Sequence, residues 1–343
     1  MKKPLVAVAL AALAGTAAAG PVLINGAGAT FPFPLYSRWF SDYARVDGSV
    51  RFNYQSIGSG GGIKQITERT VDFGASDAPM TDEELARAPG ILHVPTVLGA
   101  VVVSYNLPVA GLRLTPETLA GLFLGTITKW NDAALARDNP GAKLPDVPVL
   151  VVHRSDGSGT TAIFTDYLAK ASPAWKATVG AGKSVKWPTG LGAKGNEGVT
   201  GMVRSMAGAV GYVELAYASQ NRLAVASLRN RDGAFVKPSL ESTSEAAAGV
   251  ALPSDFRVSI TDAAGKGAYP IAAFTYLLVY KDQPDPAKGP AVARFLWWAI
   301  HDGQASAPPL DYAPLPKPVV ARIEKELRSL TVQGRPVTLA GAR

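Results

Sequence analysis

The feature that most constrains this chain is one local design used three times: an apolar, strand-like run, a turn of glycine and hydroxyl residues, then a helical pattern. The turns are Gly28-Ala29-Thr30-Phe31, Gly58-Ser59-Gly60-Gly61 and Gly157-Ser158-Gly159-Thr160. Strands alternating with helices predict an α/β fold. A helix N-terminus presents N–H groups that have no intrahelical partner, together with partial positive charge. Glycine lets the backbone come close to a bound group, and Ser or Thr adds a hydroxyl donor. Each turn is therefore a seat for an anion. Taken singly, Thr30, Ser59 and Ser158 read more readily as ordinary helix caps, although a cap hydroxyl can also serve a ligand; the repetition of the design is what favours the anion seat.

The rest of the pattern agrees. Val22-Leu23-Ile24 reads as a strand, and Tyr36, Trp39, Phe40 and Tyr43 fall on one face of a helix whose first turn holds Pro32 and Pro34. Phe52 and Tyr54 alternate with polar residues as a strand, and Ile57 to Gly62 reads as a glycine-rich turn. A helix from Ile63 to about Thr70 follows, then a strand from Val71 to Ser76 that delivers Asp77. Thr81 with Glu84 forms a capping box, and Thr115-Pro116-Glu117 opens a further helix. Val97 to Tyr105 and Ile271 to Lys281 are long apolar strands. Val147 to Val152 predicts a strand buried on both faces that delivers His153 and Arg154 to the third turn, with a helix over Thr160 to Lys170 behind it. Ala209 to Glu214 is a strand, and helices are expected at Ala287 to His301 and Pro318 to Leu330, with Trp297 and Trp298 assigned to the core.

A chain of 343 residues suits two lobes better than one small core. Lys2 and Lys3, the apolar run Leu5 to Ala14 and the small residues Ala17-Ala18-Ala19 predict a signal peptide over residues 1–19. No later apolar run is long enough to span a membrane. The absence of cysteine removes disulfides and any lipid attachment at a cysteine after the signal, so a free periplasmic protein is expected. The net charge of +7 favours anionic partners without identifying them, and the scattering of Lys and Arg argues against nucleic acid. An enzyme is poorly supported. His93, His153 and His301 show no metal-site spacing, and Gly74-Ala75-Ser76-Asp77-Ala78 lacks the final glycine of a nucleophile elbow. The Gly58 to Lys64 stretch has Gln65 where a phosphate loop needs Ser or Thr. No metal or other cofactor is expected.

Two charged residues sharpen the reading. The Arg154 guanidinium fork suits two oxygens of a tetrahedral oxyanion, and a strand end places it at the edge where α/β proteins bind ligands. Asp156 is placed to hold it. Asp77 beside an anion seat looks repulsive, but it fits a ligand that carries a proton. Phosphate can donate an O–H to it and sulfate cannot, so sulfate would face an unpaired carboxylate. The plainer alternative is that Asp77 caps a turn.

Gly26-Ala27-Gly28-Ala29-Thr30-Phe31-Pro32, Ile57-Gly58-Ser59-Gly60-Gly61-Gly62, Val71 to Pro79 and Arg154-Ser155-Asp156-Gly157-Ser158-Gly159-Thr160 together resemble the periplasmic phosphate-binding proteins of phosphate ABC transporters. Lys186-Trp187-Pro188 and Gly208 to Glu214 fit as well. The resemblance implies a two-lobed periplasmic-binding-protein fold of type II-like form, hinged by two crossover strands. Lobe I would hold residues 20–98 and 272–343, and lobe II residues 99–271. It implies phosphate ligation by Thr30, Phe31, Ser59, Asp77, Arg154, Ser158, Gly159 and Thr160, with Ala29 bordering the first seat and Asp156 behind Arg154. Inorganic phosphate and the membrane permease subunits would be the partners of a monomer. Two positions depart from the pattern: Gly60 stands where a second serine is common, and His153 where another basic residue is. Arsenate, being protonated like phosphate, should compete, and a binder of another oxyanion such as sulfate remains the alternative, with a phosphatase-like enzyme behind it.

Overall fold

The computed structural model describes residues 20–339; the expected signal peptide lies outside them. In chain order the main strands are β1 (Val22–Gly28), β2 (Val50–Ser56), β3 (Phe73–Ser76), β4 (Ile91–Tyr105), β5 (Leu150–Arg154), β6 (Leu191–Ala193), β7 (Ala209–Glu214), β8 (Ala224–Val225) and β9 (Ala272–Tyr280). They form one nine-stranded sheet in the order β2-β1-β3-β9-β4-β7-β5-β6, with β8 paired to β4. The helices that matter here are α1 (Phe33–Val46), α2 (Ser59–Thr67), α3 (Asp82–Arg87), α4 (Pro116–Leu124), α5 (Gly159–Ala171), α6 (Gly195–Ser205), α7 (Leu215–Gln220), α8 (Lys288–Ile300) and α9 (Lys317–Leu327).

The sheet has two parts, each with its own aromatic core. In the first, α1 buries Leu35, Tyr36, Trp39 and Tyr43, the face its sequence spacing predicts. Phe40 stacks on Phe52 at 4.8 Å. The C-terminal helix α8 returns to complete this core: Phe295 lies 4.4 Å from Phe52, and Trp298 meets Trp39 edge-on at 6.4 Å. In the second part, Phe164 of α5 stacks on Tyr212 at 4.3 Å and meets Phe123 of α4 at 4.8 Å. A fully buried phenylalanine such as Phe123, Phe164 or Phe295 contributes roughly 1.5–3 kcal/mol, and the half-buried Phe40 and Phe52 less.

The antiparallel pair β4–β9 carries the chain between the parts. The early residues of β4 pair with β9, and Val101 to Tyr105 pair with β7. The register shifts where Pro95 faces Tyr276 and Val97 faces Thr275, which leaves Thr96 as a bulge. Proline has no N–H to give the ladder, and a bulge bends the strand that bears it. The Thr96 hydroxyl is held by the Tyr36 hydroxyl at 2.7 Å and by the Thr275 carbonyl at 3.2 Å.

Several elements differ from their expected bounds. β1 runs on to Gly28, and β4 begins at Ile91 rather than Val97. The glycines after Ser59 belong to the first turn of α2, not to a turn before it. A Cβ at Gly62 would lie 2.6 Å from the Gly28 Cα and 2.7 Å from the Ala27 carbonyl, so glycine lets α2 rest directly on the β1 backbone. The strand expected at Val147 to Val152 is Leu150–Arg154 instead: Pro148 makes only an isolated bridge to Lys129, and Val149 and Leu150 are half-buried. Trp298 is in the core, while Trp297 is only partly buried, packed against the edge of the core with the Arg328 guanidinium over its ring at 4.8 Å.

Candidate functional site

Three backbone segments of the first part of the sheet converge at its strand ends. Ala29 spends its N–H on the Ala75 carbonyl at 3.0 Å, and its carbonyl accepts the Tyr54 hydroxyl at 2.7 Å, so it shapes the seat without a free polar group. Thr30 and Phe31 follow, both buried. The Tyr217 hydroxyl donates to the Thr30 carbonyl and the Tyr312 hydroxyl to the Phe31 carbonyl, each at 2.6 Å. The N–H groups of Thr30 and Phe31 bond no other described residue. Ser59 opens α2, and its Oγ accepts the Asp77 N–H at 3.2 Å. Asp77 leaves the end of β3 and is only 3% exposed. Its Oδ1 accepts the Thr275 hydroxyl at 2.8 Å, and its Oδ2 faces the Ser59 Oγ at 3.4 Å.

The second part supplies the facing wall. Arg154, at the end of β5, is 3% exposed. Its Nε donates to Asp156 Oδ1 at 2.8 Å, one terminal nitrogen to Asp156 Oδ2, and the other to Thr160 Oγ1 at 3.3 Å. Two of its five guanidinium N–H groups are left without a partner among the described residues. Asp156 is itself anchored by the Gly195 N–H at 3.1 Å. Ser158 caps α5 by accepting the Thr161 N–H at 3.0 Å, while its own N–H goes to the Lys183 carbonyl at 2.9 Å. The N–H groups of Gly159 and Thr160, in the first turn of α5, bond no other described residue.

These walls touch. The Gly60 N–H donates to the Gly157 carbonyl at 2.8 Å. A Cβ at Gly159 would lie 2.3 Å from Ser59 Oγ and 2.6 Å from Asp77 Oδ2. At the rim, Lys183 pairs with Glu84 of α3 at 2.8 Å. The structure thus brings Thr30, Phe31, Ser59, Asp77, Arg154, Ser158, Gly159 and Thr160 to one buried locus, with Ala29 and Asp156 at its edge. The Gly60 departure has a packing reason: a Cβ there would press on the Gly157 Cα at 3.2 Å. His153 is a packing residue, stacked on Trp187 at 4.7 Å.

Sequence reasoning missed three participants. Asn196 bonds both Thr30 and Thr160, Thr275 holds Asp77, and Tyr217 holds Thr30. Asn196 had a signal, because Gly195-Asn196 is a fourth glycine-led helix start, but the strand before it, β6, has only three residues. Thr275 lies in an unbroken apolar strand and carried no such mark.

Electrostatics distinguish the two carboxylates. Burial pushes Asp77 up to about 7, against the hydrogen bond from Thr275 and the positive charge of Arg154. Burial also opposes charge on Asp156, but the hydrogen bonds and charge of Arg154, with the Gly195 N–H, outweigh it and hold that carboxyl below its ordinary range. The site is therefore rich in donors and fixed positive charge and offers one acceptor. Such a cage suits a tetrahedral oxyanion that brings a proton of its own. The histidines are engaged elsewhere: His93 accepts the Met80 N–H at 2.9 Å, and burial lowers it to about 4, while His301 lies 2.9 Å from Glu324. Among the described residues no cluster of His, Cys, Asp or Glu could hold a metal ion.

The family model for a PBP superfamily domain matches residues 15–302. The phosphate-binding protein PstS of Pasteurella multocida is 50% identical over 311 residues, spanning 89% of this chain and 90% of that one. The protein of the same name from Xylella fastidiosa is 48% identical over 308 residues, covering 88% of this chain and 84% of its own. Among solved structures, a high-affinity periplasmic phosphate-binding protein bound with phosphate superposes with a TM-score of 0.73 at 22% identity, over 88% of this chain and 93% of that one. A putative phosphate ABC transporter substrate-binding protein from Clostridium perfringens does so with a TM-score of 0.65 at 16% identity, over 86% and 100%. The fold is thus the two-lobed periplasmic-binding-protein architecture, in which β4 and β9 cross from one side to the other. With the superfamily pattern covering most of its length and relatives about half identical along nearly all of it, this chain belongs to the PstS family of phosphate-binding proteins.

Proposed function

We propose that this protein binds inorganic phosphate between its two lobes and delivers it to the permease subunits of an ABC importer, as a monomer rather than an enzyme. Thr30, Phe31, Ser59 and Asp77 would hold the anion from one lobe, and Arg154, Ser158, Gly159 and Thr160 from the other. The lobes would comprise residues 20–98 with 272–343, and residues 99–271. The positively charged start and apolar run of residues 1–19 fit export by a cleaved signal, and a chain without cysteine would remain in the periplasm without a lipid anchor. No described helix is long and apolar enough to cross a membrane.

The observation that carries the reading is the set of buried N–H groups at Thr30, Phe31, Gly159 and Thr160 that bond no other described residue, gathered around Arg154 and a single carboxylate. Buried donors without partners are costly, at roughly 1–3 kcal/mol each, so their convergence points to a ligand that accepts from them all. Calorimetry of the purified protein against phosphate, arsenate and sulfate tests it. Phosphate and arsenate should bind and displace each other, and sulfate should bind far more weakly. Equal affinity for phosphate and sulfate would overturn the reading. Turnover of a phosphate ester beyond stoichiometry would reassign the protein as an enzyme.

Asp77→Asn should lose discrimination against sulfate, because the amide replaces an unpaired acceptor with a donor. An unchanged phosphate-to-sulfate ratio would remove Asp77 from the mechanism. The pH dependence follows from the raised Asp77 value of about 7. Above it the carboxylate is charged and repels a fully ionised oxyanion; below it the neutral acid can donate. Sulfate does not itself titrate in this range, so sulfate affinity of the wild type should rise as pH falls from 8 to 5. In Asp77→Asn it should stay nearly flat. A flat wild-type profile would contradict this role for Asp77.

A further inference from the structure

Asn196 is fully buried at the start of α6, where both walls of the cleft reach it. Its Oδ1 accepts the Glu214 N–H at 2.9 Å, and since that N–H can only donate, the orientation of the amide is fixed. Its Nδ2 then donates to Thr30 Oγ1 at 2.7 Å and to Thr160 Oγ1 at 3.1 Å. Its backbone N–H donates to Thr30 Oγ1 as well, at 3.1 Å.

A threonine hydroxyl has two lone pairs and one proton. Both lone pairs of Thr30 Oγ1 are taken by Asn196. Those of Thr160 Oγ1 are taken by Asn196 and by Arg154 at 3.3 Å. Each hydroxyl is left with one capacity, the donation of its proton. We infer that Asn196 is a positioning residue that fixes the Thr30 and Thr160 hydroxyls as obligate donors to the bound oxyanion, and so sets the polarity of the cage from outside it. This rests on the phosphate-binding reading above, to which it adds a residue that does not touch the ligand. Thr30 precedes α1 and Thr160 lies in α5, so one amide orders a donor on each wall. The Glu214 backbone that holds the amide belongs to β7, which pairs with the crossing strand β4.

Asn196→Asp and Asn196→Ala separate this role from mere packing. The aspartate keeps the shape but puts an acceptor where Nδ2 was, so both hydroxyls turn toward it and away from the ligand. Its phosphate affinity should fall by about 100-fold or more, and that of the alanine variant by roughly tenfold, as hydrogen bonds to a charged group are lost. A structural role could produce a loss too, so the deciding measurement is a double-mutant cycle. In a Thr30→Val, Thr160→Val background, Asn196→Ala should have almost no further effect on phosphate affinity, whereas Thr30→Ser should leave its tenfold cost intact. An additive loss in the valine background, or wild-type affinity in Asn196→Asp, would overturn the inference while phosphate binding by the wild type stood. Failure of the wild type to bind phosphate would sink the functional reading itself.

Discussion

Arg154→Ala is expected to weaken phosphate binding by roughly 2–5 kcal/mol, or about 30-fold to several-thousand-fold, the range for removing one member of a buried, hydrogen-bonded charge pair. The magnitude comes from two losses that act together. The ligand loses the Arg154 guanidinium, and Asp156, which lies against Arg154 with 11% of its side chain exposed, keeps its charge with no more than backbone N–H groups, that of Gly195 among them, to offset it. In the wild type that carboxylate is neutralised by Arg154; in the variant it would repel the incoming anion. Arg154→Lys should recover only part of the loss, since an ammonium cannot grip Asp156 through two nitrogens while also serving Thr160 and the ligand. Isothermal calorimetry reads the result, and wild-type affinity in Arg154→Ala would mean that the anion lies elsewhere. The double variant Arg154→Ala, Asp156→Ala should bind better than Arg154→Ala alone, because the orphaned negative charge is gone.

Gly159→Ala is expected to be nearly as damaging, for a steric reason. The added methyl would meet Asp77 Cβ at 2.7 Å as well as the Ser59 hydroxyl. The hydroxyl can rotate away, but the Asp77 Cβ is fixed by the end of β3. The walls must then part by the better part of an ångström, which misaligns donors on both sides at once. Overpacking of this kind costs roughly 1–3 kcal/mol, so affinity should fall by about 5- to 150-fold. Because the contact lies between the two walls and not inside either core, the melting temperature of the ligand-free variant should stay close to that of the wild type. A variant with full affinity would show that the walls do not close on the ligand as described, and a large drop in stability would place the contact inside a folding core.

Much of this was legible in the sequence because it depends on residues next to one another. The turn Arg154 to Thr160 carries its own logic: a strand end, a charge pair two residues apart, and a capped helix start. The same holds for the Thr81–Glu84 capping box, which forms as expected. Legibility failed where a role depends on a partner far along the chain. Thr275 and Asp77 are 198 positions apart and Asn196 and Thr30 are 166 apart, and no local pattern marks either pairing. Boundaries failed where backbone chemistry overrode hydrophobicity. Pro148 broke an apolar run that otherwise read as strand, and the glycines after Ser59 entered a helix whose neighbours leave no room for side chains: Gly60 lies against Gly157, Gly61 against Ile57, and Gly62 on the β1 backbone.

The return of α8 to the first aromatic core sets an order of assembly. Phe52 and Trp39 reach their partners Phe295 and Trp298 only when nearly the whole polypeptide is available, and the Trp39 indole bonds the Gly303 carbonyl at 2.7 Å. The stretch that supplies Phe123, Phe164 and Tyr212 is continuous and can gather its ring cluster without the C-terminal segment. Closing a loop of more than 200 residues is the slower event, so the middle of the chain should become protease-resistant before its beginning does.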